Sequence, residues 1–85
     1  MKSPLTDEEF NKLKWTGIDG RKVAQMIAGM VVVGAEPVDY PETDGLVIYL
    51  RNKQGKLLVL DITGYLCSDE TLNFSISAAM TEIDV

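Results

Sequence analysis

LVIYLRNKQGKLLVLDI, residues 46–62, decides the fold. Two apolar runs flank the polar stretch NKQG. Asn52 suits the first position of a type I turn, and Gly55 suits the left-handed residue of a bulge. A three-residue loop, 53–55, then sets Asn52 opposite Lys56. Side chains alternate between faces along a strand, so this register has consequences for both runs. It pairs Leu50 with Leu58, Ile48 with Leu60 and Leu46 with Ile62, a face made wholly of Leu and Ile. The other face carries Val47, Tyr49, Arg51, Leu57, Val59 and Asp61. Pairing Arg51 directly with Lys56 would instead set Asp61 beside Leu46 on an aliphatic face, so the bulged register is preferred.

Upstream, SPLTDEEF is a helix start. Thr6 caps the following amides, and Glu9 completes a capping box. Leu5 and Phe10 have the spacing of a hydrophobic staple. Asp7, Glu8 and Glu9 fall in the first turn, where the helix dipole favours negative charge. The acidic triplet is therefore structural. A helix over 7–15 follows, with Phe10 and Leu13 inward and Gly17 as its stop.

The uncharged segment VAQMIAGMVVVGA, residues 23–35, breaks at Gly29. Before it, Val23, Met26, Ile27 and Met30 form a helical stripe. After it come three β-branched valines, which favour a strand. At thirteen residues the segment is too short for a membrane span, which takes about 20. The reading is a helix over 20–28, capped by Asp19, running with no polar loop into the first strand. Pro37 lacks a ladder donor and marks an edge position or the strand's end. PETDG, residues 41–45, reads as a loop. Downstream, Leu72, Phe74, Ile76 and Ala78 alternate with polar residues, a half-buried strand. The final five residues are expected to fray.

These elements predict one domain over 1–85, of the α+β class. Two N-terminal helices pack on one face of a four-stranded, mostly antiparallel sheet. The N-terminus has no apolar stretch of the secretory type and turns acidic by position 7, so the expected compartment is the cytoplasm. Eight basic and thirteen acidic residues leave a net charge of −5. The basic residues are scattered, which argues against a nucleic-acid surface.

The catalytic inventory is thin. With no histidine, neither a Ser–His–Asp nor a Cys–His mechanism can be assembled within the chain. The single cysteine, Cys67, lies beside Ser68, Asp69 and Glu70, with no cationic neighbour in sequence to activate it. It reads as a small buried hydrophobe. GIDGRK, residues 17–22, lacks P-loop spacing. Met26 and Met30 read as core. No cofactor is called for.

The leading expectation is a non-enzymatic protein-interaction or accessory module, bound to a partner or to itself as a homodimer. With both helices on the Leu/Ile face, nothing local would cover Val47, Tyr49, Leu57 and Val59. An apolar centre with a polar rim is the character of an interface. The alternative is a small-molecule or metal-binding protein using the acidic loop 36–44, with Glu36, Asp39, Glu42 and Asp44. Its spacing fails the EF-hand pattern. A third reading is an enzyme whose site is shared between subunits.

Overall fold

The computed structural model describes residues 4–38, 43–66 and 72–84. Its order is α1 (Asp7–Asn11), β1 (Thr16–Gly17), α2 (Gly20–Ile27), β2 (Val31–Val38), β3 (Thr43–Arg51), β4 (Lys56–Leu66) and β5 (Leu72–Asp84). The strands make one five-stranded antiparallel sheet in the order β1-β5-β4-β3-β2. Of the two described helices α2, with eight residues, is the longer and α1 has five.

The hairpin forms in the predicted register. Leu50 pairs with Leu58, Ile48 with Leu60 and Leu46 with Ile62. Gly55 has φ of 81°. Asn52 accepts the N–H groups of Gln54 and Lys56 on its side-chain oxygen, at 2.9 and 2.8 Å. Asn52→Ala leaves both amides without that acceptor, an expected loss of about 1–2 kcal/mol. In a domain this small that lowers the melting temperature by roughly 4–15 °C. Thermal melts should show Asn52→Asp, which keeps an acceptor oxygen, holding most of it.

Both helix starts also form. The Thr6 hydroxyl accepts from the Glu9 N–H, and the Glu9 carboxylate accepts from the Thr6 N–H. Asp19 accepts from the Lys22 N–H at 2.8 Å. Gly29, at φ 79°, turns the chain from α2 into β2.

The expectation of two helices on one face of a four-stranded sheet is corrected. The sheet has five strands, and the segments containing α1 and α2 cover opposite faces. Leu5, Phe10, Leu13 and Trp15 pack over Val47, Tyr49, Leu57 and Val59. Val23, Met26, Ile27 and Met30 pack over Leu50, Leu58, Leu60 and Ala78. The crossing is made by β1. Thr16 pairs with Ala78 and Gly17 with Ser77, and the Ile18 N–H donates to the Ile76 carbonyl at 2.9 Å. The chain thus leaves one face, clips to the edge of β5 and enters the other.

This route also explains why α1 ends at Asn11 rather than at residue 15. Five residues along a helix rotate a side chain by about 140° from its start, so a continued helix would part Trp15 from Phe10. Unwound after Asn11, the chain brings the two rings to 5.8 Å on one face. Gly17, expected to stop the helix, lies in β1. At the other end, β5 continues to Asp84 where fraying was expected.

β2 is an edge strand, one of the two positions that Pro37 allowed. Its register shifts between Val32 and Gly34, and Val33 packs into the cluster under the N-terminal segment. Gly45, expected to close the loop over 41–45, lies inside β3 opposite Thr63. No described helix is long and apolar enough to cross a membrane.

Candidate functional site

The four residues expected at an interface are among the most buried in the chain. Tyr49, Leu57 and Val59 are fully inaccessible and Val47 is 6% exposed. The premise that nothing local covers them does not hold, because the segment from Leu5 to Trp15 lies on them. Tyr49 keeps its hydroxyl satisfied by donating to the Glu36 carboxylate at 3.0 Å. One large aromatic thus fills the core while its polar tip reaches the edge strand.

The acidic region is dispersed. Glu36 is half-buried on β2 and holds Tyr49. Asp44 is exposed on β3, opposite Gly64. Asp39 and Glu42 lie outside the described residues, as does Cys67. Among the described residues no three Asp, Glu, His or Cys side chains gather as a metal-sized group. Asp61, on the hairpin face that carries Tyr49, accepts from the Thr63 hydroxyl at 2.6 Å. Met26 and Met30 pack against the core under α2, as their stripe predicted.

Two surfaces stand out among the described residues. The first lies on the Leu/Ile face beyond the reach of α2. An eight-residue helix is about 12 Å long, whereas the nine residues of β3 extend about 30 Å. The helix therefore covers only one end of the face. At the other end, Leu46 is 39% exposed and Pro37 is exposed. Beside them Ala35, Ile48, Ile62 and Ile76 are half-buried. Pro37, Leu46, Ile62 and Ile76 stand in one row across four strands. No charged residue interrupts that row.

The second surface is a groove of about 310 Å³ between α2, β1 and β5. Its floor is Leu58 and Ala78, and Ile18, Met26 and Met80 form its apolar walls. Lys14 and Lys22 stand at it, and among the described residues no carboxylate lines it. Sequence reading missed both surfaces. Each depends on which helix covers which face, and one depends on a strand of two residues.

Comparison with known protein families, with curated proteins and with solved structures finds no match.

Proposed function

We propose that the protein is a non-enzymatic interaction module that self-associates through the open end of its Leu/Ile face. The observation that supports this is the uncharged row Pro37, Leu46, Ile62 and Ile76, with Pro37 and Leu46 exposed at one end and Ile76 packed against the cluster under α2 at the other. Apolar surface with no charge in it has nothing to select a partner of opposite sign. A second copy carries the matching surface by symmetry, since a two-fold interface sets the same patch on itself. Two such sheet faces pack about 10 Å apart as a sandwich. The remaining surface carries net negative charge, so copies repel except where this row meets its own image.

Leu46→Glu sets a carboxylate at the centre of the row in each copy. Burying two unpaired charges should weaken the dimer at least tenfold. Leu46 is well exposed in the single chain, so folding stability should change by under about 1 kcal/mol. Sedimentation velocity at about 100 µM protein should find the unmodified chain dimeric and the variant monomeric, with matching circular dichroism. An unmodified chain that stays monomeric there refutes the self-association.

A further inference from the structure

The groove between α2, β1 and β5 sets cations over an apolar floor. The chain as a whole carries five more negative than positive charges. Yet among the described residues two lysines and no acid line this concavity. Neither the Lys14 nor the Lys22 ammonium group has a carboxylate partner among the described residues. The nearest acid on α2, Asp19, is turned to the helix start, where it accepts from the Lys22 N–H. Beneath the lysines the lining is apolar, with two methionines among it. Methionine is unbranched and adapts its shape to an occupant. Lysine stems lie along apolar surface while their ammonium groups stay in water.

We infer that this groove binds a small amphiphilic carboxylate, with its chain on Ile18, Met26, Leu58, Ala78 and Met80 and its head between Lys14 and Lys22. A volume of about 310 Å³ is at the small end of ligand sites. Octanoate is such a carboxylate. Its apolar chain replaces water over the floor, and its single negative charge meets the two cations. An amine of the same length brings the same chain with the wrong sign. The groove is open to solvent, so affinity is weak, with Kd of millimolar order, and the charge contribution is screened by salt. This site lies under α2 and does not depend on the dimer.

The experiment is an NMR titration of the isotopically labelled full chain with octanoate, and in parallel with octylamine. Octanoate should move the backbone amides of Gly17, Ile18, Met26 and Ala78 in a saturable way. Octylamine at equal concentration should leave them in place. The variant Lys14→Gln/Lys22→Gln changes two exposed residues, and its spectrum should otherwise overlay that of the parent. It should bind octanoate roughly tenfold more weakly, as expected for two exposed charge contacts. Loss of affinity at high salt in the parent, but not in the variant, would support the same assignment. Octylamine moving the same amides as strongly, octanoate leaving them unmoved at about ten times the expected Kd, or unchanged affinity in the variant would each overturn it.

Discussion

Tyr49→Ala is expected to cost about 3–5 kcal/mol, the range for emptying a buried aromatic site. Tyr49 is fully inaccessible and stands in the cluster of Leu5, Val47, Leu57 and Val59, with Phe10, Leu13 and Trp15 packed against it. A domain of this length has a total stability of about 4–13 kcal/mol, so the loss removes a large part of it. Urea unfolding should show a collapsed midpoint or no native baseline. Tyr49→Phe keeps the ring and gives up the hydrogen bond to Glu36, an expected cost of about 1 kcal/mol. The contrast separates ring from hydroxyl. A cost under about 1 kcal/mol for the alanine variant would mean that the N-terminal segment does not rest on this face.

Gly45→Ala comes second in size. A Cβ at this position would lie 2.5 Å from the Ile62 carbonyl oxygen and 3.0 Å from the Thr63 Cα. Both atoms belong to the backbone of β4, so no side chain can swing aside. The added methyl must push β3 from β4 next to the row that holds Leu46 against Ile62. The expected cost is about 2–3 kcal/mol, as for overpacking in a well-filled site. Gly17→Ala is the control, because its Cβ would meet nothing within 4 Å. Equal unfolding midpoints for the two variants would refute the close approach of β3 and β4.

The parts of this fold legible in the sequence are those set by neighbours in the chain. Thr6 and Glu9, Asp19 and Lys22, and Asn52 with Gly55 each act over two to four residues, and all form as read. The hairpin register followed because a slip of one residue would have moved Asp61 onto the Leu/Ile face. Which helix covers which face was not legible. Both hairpin faces are apolar at their centres, so alternation gives no preference between them. The choice is made by Thr16 and Gly17, a strand too short to show any pattern. One signal did bear on it. Phe10 and Trp15 are too large to leave in water, yet one helix could not aim both at the same face. The length of α2 was a second signal, since eight residues cannot roof a nine-residue strand. The premise that this face lacks a local cover follows from the misplaced helices. Val47, Tyr49, Leu57 and Val59 were correctly grouped, and their cover was assigned to the wrong side.

The clip between β1 and β5 also bears on the order in which the molecule can be completed. Thr16 and Ala78 are separated by about sixty residues of chain, and long closures are slow to form. During synthesis the N-terminal segment emerges first, and a nascent chain folds as its partners become available. For this segment the anchoring partner is the final strand of the sheet. Until β5 is in place, the apolar residues on both sides of the hairpin lack the tether that holds their covers. The covers on both sides of the hairpin therefore stay unpinned until β5 has paired, and two residue pairs then fasten both at once.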